Sequence, residues 1–100
     1  MKLEDMMQKV EEMSDTSALV AKAPLSWGSE AMIVELTGAY GVPQGVKDAG
    51  YEYVIGRDDL LWLLQCLERK KVSDRTKAEF VIHYAVVDAM PAWIDDIPDA

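Results

Sequence analysis

The densest apolar run of the chain reads DDLLWLLQCLERKK and spans residues 58–71. Leucines at positions 60, 63, 64 and 67 follow helical spacing. Two acidic residues open the run and three basic residues close it, which the dipole of a helix favours. Because Leu61, Trp62 and Cys66 widen the apolar stripe almost all the way round, the run predicts a central helix that is buried on nearly every side.

A second long helix is predicted to follow, from about Asp74 to Met90, with Ser73 as its N-cap. The link between the two helices is short, which favours an antiparallel hairpin. Pro91 ends the second helix, and residues 93–97 are expected to pack as a final turn.

Three further helices are predicted before this hairpin. Apolar residues at positions 3, 6, 7, 10 and 13 indicate an amphipathic helix. Residues 18–23 read as a short apolar helix that ends at Pro24, and residues 26–40 as a longer one. A glycine-rich loop covers residues 41–50, and Pro43 is able to start one helical turn within it. Residues 51–55 are the only strand-like stretch, and a single strand without a partner is expected to be an extended connector or part of a helix start.

The resulting prediction is an all-α, single-domain bundle of about four to five helices over residues 1–100. It has a C-terminal antiparallel hairpin of two longer helices and at most one short extended segment near residues 51–55.

The net charge of −8 indicates which classes of partner the protein favours. It opposes binding to a nucleic-acid backbone, which depends on Lys and Arg, and it favours basic protein surfaces. The longest apolar runs are too short for a membrane span, and the first residues do not resemble a signal peptide. With Cys66 as the single cysteine, nothing indicates an oxidising compartment, so a cytoplasmic protein is expected.

Catalysis and metal binding are not expected from the sequence. His83 is the single histidine, and it lies within an apolar stretch of the predicted second long helix. No motif places a nucleophile beside it. One Cys and one His cannot form a four-ligand zinc site, and the glycine-rich loop lacks the pattern of a phosphate loop. We therefore predict a protein that is not an enzyme and that has no cofactor and no metal.

Carboxylates are the most informative polar groups, and they occur in clusters along the sequence. The competing explanation for each cluster is an ordinary helix face exposed to solvent. Trp93 is added to the carboxylates because Trp is enriched where interfaces bind most tightly and because it lies beside two acidic residues, although packing against the last helix is the slightly favoured alternative. The candidate protein-binding residues are Glu11, Glu12, Asp15, Asp58, Asp59, Trp93, Asp95 and Asp96.

Two other hypotheses stay open. A structural or assembly module is expected to form homo-oligomers through the Met-rich first helix, because Met suits adaptable interfaces. A transcriptional regulator is expected to use the basic residues between positions 69 and 77, but the helix that follows has almost nothing to offer bases or phosphates.

The chain as a whole also resembles a family of small anti-CRISPR proteins. Residues 1–13, MKLEDMMQKVEEM, together with the length of 100 residues and the acidic character, resemble inhibitors of the type I-F system, and most of all their sixth numbered family. That family has no diagnostic motif, so the resemblance assigns no interface residues.

The resemblance implies a phage or mobile-element protein in the host bacterial cytoplasm. It would bind the RNA-guided surveillance complex and block target DNA binding, without contacting nucleic acid, a membrane or a small-molecule substrate itself. Guide complexes hold nucleic acid in positively charged channels, which an acidic protein suits. The subunit contacted and the oligomeric state are left open.

Overall fold

A three-stranded antiparallel sheet lies at the centre of the fold. The computed structural model describes residues 1–37 and 41–97. Strand β1 spans Ser17–Lys22, β2 spans Ala31–Glu35 and β3 spans Tyr51–Gly56, and β1 lies between the other two. The protein is therefore α+β, and the prediction of an all-α bundle is wrong.

The predicted helices are shorter in the structure, and helices pack against this sheet. Helix α1 spans Leu3–Met6, α2 spans Gln44–Asp48, α3 spans Arg57–Cys66 and α4 spans Asp74–Val87. Two 3₁₀ turns, Val10–Glu12 and Ala92–Asp96, complete the described elements.

The start of α4 is confirmed, because the Ser73 hydroxyl accepts a hydrogen bond from the Thr76 N–H at 3.2 Å. The helix ends where Asp88 adopts a left-handed conformation with φ of 60°, which Asp tolerates better than most residues.

The pairing of β1 with β2 is regular, whereas its pairing with β3 contains a bulge. Leu19 on β1 pairs with Ile33 on β2 and with Ile55 on β3. The next residue, Val20, pairs with Tyr53, which leaves Val54 as an extra residue on β3. This bulge interrupts the alternation of a regular strand, and Val54 and Ile55 both belong to the core.

One hydrophobic core forms between the sheet and the helices. Strand β1 contributes Leu19 and Ala21, and the first segment of the chain contributes methionines that pack against them. The largest fully buried side chains of the helices, together with Leu67 just after α3, are Leu3, Leu60, Leu63, Phe80 and Val81.

The central strand explains why residues 18–23 were wrongly predicted to be helical. Leu19 and Ala21 face the helices, while Ala18 and Val20, on the opposite face, are also fully buried. A strand buried on both faces reads as a continuous apolar run, and periodicity cannot distinguish such a run from a short helix.

The other strands correct two more predictions. Of the predicted helix at residues 26–40, the part at Ala31–Glu35 is β2, and residues 38–40 lie outside the described part of the chain. Residues 51–55 are not an isolated connector, because they lie within β3 and pair with β1. Each strand has its partner elsewhere in the sequence, so neither shows its pairing locally.

The apolar run at residues 58–71 is helical only over Arg57–Cys66, and it is not buried on nearly every side. Leu60 and Leu63 are fully buried, whereas Trp62 is 48% exposed and packs edge-on against Tyr84, with 6.0 Å between the ring centroids. The predicted first helix is also shorter, with α1 followed by a separate 3₁₀ turn.

Candidate protein-binding surface at one end of the sheet

The topology brings three chain segments together at one end of the sheet. Strands β1 and β3 are antiparallel, so the start of β1 lies beside the end of β3, with Ala18 opposite Gly56. The residues that precede β1 therefore meet the first residues of α3. On the other side of β1, Ser17 lies opposite Glu35, the last residue of β2.

Arg57 links the carboxylates that gather there. Its guanidinium contacts Asp15, with 2.9 Å between Nη2 and Oδ1, and Asp58, with 2.8 Å between Nη1 and Oδ1. The two carboxylate side chains remain 81% and 79% exposed. Asp59, also exposed, has no ion pair among the described residues. We call the group of Asp15, Glu35, Arg57, Asp58 and Asp59 the acidic end, which contains four carboxylates and one guanidinium.

Two hydroxyl groups hold the Glu35 carboxylate in place. The Ser14 hydroxyl donates to Oε1 at 2.6 Å, and the Thr16 hydroxyl donates to Oε2 at 2.7 Å. These hydrogen bonds stabilise the charged form and lower the pKa of Glu35. Glu35 is thus a fixed anion at the end of β2.

An aromatic ring lies beside the carboxylates. The side chain of Tyr53 is half-exposed, and partial burial, followed by the negative charge of Asp59, raises the pKa of its phenol. The phenol oxygen lies only 3.1 Å from where a Cβ at position 56 would be, which suits Gly56. A ring face next to a carboxylate is an arrangement that attracts Lys and Arg side chains.

The structure places Glu11 and Glu12 on a neighbouring surface. Both belong to the first 3₁₀ turn and are exposed, and this turn contacts α3. Glu12 is paired with Lys9, with 3.4 Å between Nζ and Oε2. Glu11 forms no ion pair with another described residue and adds negative charge to this surface.

The candidates near the C-terminus lie apart from the acidic end. The ring of Trp93 is partly buried against the core and contacts Phe80 edge-on, with 5.9 Å between centroids. Asp96 is exposed, and the adjacent Ile97 carbonyl accepts from Lys70 Nζ at 3.3 Å. Lys70 follows α3, at the opposite end from Asp58. The side chain of Asp95 lies outside the described residues.

A second charged group lies where α1 meets α4, and it is engaged within the fold. The guanidinium of Arg75 stacks on the ring of Trp27, 3.6 Å from the centroid, and its Nε contacts Glu4 Oε2 at 3.3 Å. We call these three residues the Arg75 clamp. Because the clamp uses Arg75, the proposed DNA-binding cluster loses one of its cations to an internal contact.

The Met-rich surface proposed for self-association is also used internally. Met6, Met7 and Met13 are at most 6% exposed and belong to the core. The hypothesis of an oligomer formed through this surface therefore has no exposed methionine stripe to use.

Within residues 1–37 and 41–97, no group of His, Cys, Asp and Glu has the arrangement of a metal site. None of the helices in this part of the chain has the length and apolar content of a membrane span. Comparisons with protein-family models, curated proteins and solved structures gave no significant match.

Glu35 and Arg57 of the acidic end, and the neighbouring Tyr53, were not among the sequence candidates. Arg57 is adjacent to Asp58 in sequence, which was a usable signal. Glu35 and Tyr53 could be found only after β2 and β3 were paired with β1.

Proposed function

We propose that the protein is a stoichiometric inhibitor that binds a basic, nucleic-acid-binding protein surface through its acidic end. We further propose that the surface belongs to the type I-F surveillance complex, as the resemblance to anti-CRISPR proteins suggests, and that the protein acts in the host bacterial cytoplasm. It excludes target DNA without contacting nucleic acid directly and without catalysis.

The observation that carries this proposal is the grouping of Asp15, Asp58 and Asp59 around Arg57. Two of these carboxylates are about four-fifths exposed although each contacts the guanidinium. The group keeps an excess of negative charge that is directed at solvent. Such charge accelerates association with a positive surface and disfavours wrong partners.

The test uses purified type I-F complex and a labelled target duplex. Increasing amounts of the protein should reduce the fraction of duplex that is captured. A variant with Asp15→Asn, Asp58→Asn and Asp59→Asn should need about tenfold more protein for the same effect, because it loses three charges from the contact surface.

The matched control changes the same number of charges elsewhere. Glu52, Glu68 and Glu79 are exposed residues outside the acidic end, and their joint change to Gln should leave inhibition within about twofold of the unmodified protein. Equal losses in both variants would mean that net charge, rather than the acidic end, drives binding. Full duplex capture at saturating protein would refute the proposed target.

A further inference from the structure

The outer edge of β2 has backbone groups that point away from the sheet. Two hydrogen bonds fix its phase, from Lys22 N–H to the Glu30 carbonyl at 2.9 Å and from Leu36 N–H to the Thr16 carbonyl at 2.9 Å. Residues 30, 32, 34 and 36 therefore direct their hydrogen-bonding groups at β1. By the alternation of antiparallel ladders, Ala31, Ile33 and Glu35 direct theirs at the open edge.

The beginning of this edge is already paired with the first residues of the chain. Ala31 N–H donates to the Met1 carbonyl at 2.7 Å, and Leu3 N–H donates to the Ser29 carbonyl at 2.8 Å. The pairing stops there. Among the described residues, none bonds to the outward N–H or carbonyl of Ile33 or to the outward N–H of Glu35.

An apolar groove runs beside the unpaired part of the edge. It has a volume of about 370 Å³. Its lining is mostly apolar, with Met1, Met6, Met32 and Ile33, and it also includes the charged residues Lys9, Glu12 and Glu30. Flexible methionine side chains adapt to different apolar partners. An added strand would therefore find both backbone partners and a place for an apolar side chain, which is how sheet edges bind extended peptides.

We propose that this free edge of β2 binds an extended basic segment of the partner protein as a fourth strand. The edge leads to Glu35, and Glu35 belongs to the acidic end. The Glu35 carboxylate bonds to Ser14 and Thr16, which flank the exposed Asp15, so basic residues on the part of the segment beside Glu35 are complementary. The inference rests on the proposed function for the basic character of the partner.

A second copy of the chain fits this edge less well. Self-pairing centred on Ile33 would place Ala31 N–H of each copy in the new ladder, but that group already donates to Met1. Two of the six bonds of such a ladder, from each Ala31 N–H to the Glu35 carbonyl of the other copy, would be lost. Two chains that each carry a net charge of −8 would also repel each other.

The test uses the whole protein labelled with ¹⁵N and three capped synthetic peptides. The first peptide has the sequence Lys-Val-Lys-Ile-Lys-Val-Lys. The second has proline in place of its isoleucine, which removes a donor from the middle of the strand. The third has glutamate in place of every lysine. At saturation with the first peptide, amide hydrogen exchange at Ile33 and Glu35 should slow by about tenfold or more.

The amides of Met32 and Val34 are internal controls, because they already bond to β1 and should not change. The proline and glutamate peptides should each bind at least about tenfold more weakly than the first. The variant Ile33→Pro, which removes an outward N–H and keeps the ladder to β1, should lose the effect at Glu35. The exchange measurement on the unmodified protein decides the question even if this variant does not fold.

Two outcomes would overturn the inference. Binding of the first peptide that perturbs Asp58 and Asp59 but leaves exchange at Ile33 and Glu35 unchanged would show a purely electrostatic contact. Protection of both amides without peptide, together with a dimer in sedimentation, would identify a second copy as the occupant. Neither outcome affects duplex capture by the surveillance complex, so failure of the inference is distinguishable from failure of the proposed function.

Discussion

The acidic end and the Arg75 clamp use the same kinds of side chain for opposite purposes. In the clamp, Arg75 has one carboxylate partner, Glu4, whose side chain is only 19% exposed, and one face of its guanidinium is covered by Trp27. In the acidic end, Arg57 is shared by two carboxylates that are mostly exposed. The two groups differ in the number of carboxylates for each guanidinium, and in whether an aromatic ring covers the guanidinium.

This ratio determines whether a charged group acts inside the molecule or outside it. One carboxylate for one guanidinium leaves the clamp close to neutral, and the stacked ring fixes its geometry, so it ties α1 to α4. Four carboxylates for one guanidinium leave an excess of negative charge that packing does not neutralise. The first group contributes to stability, and the second remains available to a cationic partner.

The largest expected effect comes from removing the ring of the clamp. Trp27→Ala should lower the free energy of unfolding by about 2 kcal/mol, because Trp27 is half-buried against the core and also carries the stacked guanidinium. Urea denaturation measures this change. Trp62→Ala is the matched control, since Trp62 is 48% exposed and should cost about half as much. Equal costs would show that the clamp adds nothing beyond apolar contact.

Changing each arginine separately tests whether the clamp acts in stability and the acidic end in binding. Arg75→Gln should lower the free energy of unfolding by about 1 kcal/mol, through loss of the stacking and of one surface ion pair. It should leave affinity for the surveillance complex unchanged. The measurements are urea denaturation and binding to the immobilised complex.

Arg57→Gln should instead strengthen binding to a basic surface, by about threefold, because it removes the one cation of the acidic end. This gain should shrink as salt is added, since exposed charges are screened. Weaker binding of the Arg57→Gln variant would mean that Arg57 orders the carboxylates for binding rather than neutralising them. A loss of affinity in Arg75→Gln would place the clamp in the interface.

The sequence predicted the helices of the C-terminal half better than the strands. Leucine spacing and the Ser73 cap are local signals, and α3 and α4 formed where these signals lie. The strands depend on pairing. Residues 17–22 carry no alternation because β1 is buried on both faces. Their apolar run predicts a helix, and a helix there leaves the strand-like residues 51–55 without a partner.

The prediction of the candidate site lacked the same information, namely which strands pair with each other. Asp15 and the pair Asp58 and Asp59 were each found as separate acidic clusters in the sequence. Their proximity follows from the pairing of β1 with β3, which no local pattern contains. Trp93, chosen as a Trp beside two acidic residues, packs on Phe80 of the last long helix, which is the alternative favoured from the sequence. Residue chemistry therefore proposed members of the surface, and only the sheet topology could group them.

The smallest expected effect concerns the anion at the end of β2. The lowered pKa of Glu35, which comes from the hydroxyls of Ser14 and Thr16, lies below its ordinary value of 4.5. Because the folded protein binds this proton less tightly than the unfolded chain does, the contribution of Glu35 to stability is fully present above pH 4.5. It is lost as the pH falls through the lowered pKa.

Removing both hydroxyls tests this cause directly. In the variant Ser14→Ala, Thr16→Ala, the carboxyl carbon shift of Glu35 should titrate closer to pH 4.5 than it does in the unmodified protein. Glu30 is the internal control, because its pKa is lowered by a hydrogen bond from the N-terminal ammonium group, and its midpoint should not move. An unchanged Glu35 midpoint would mean that the hydroxyls do not hold this carboxylate in solution. Glu35 would then not be a fixed charge of the acidic end. The assignment of Asp15, Asp58 and Asp59 to that surface would not change.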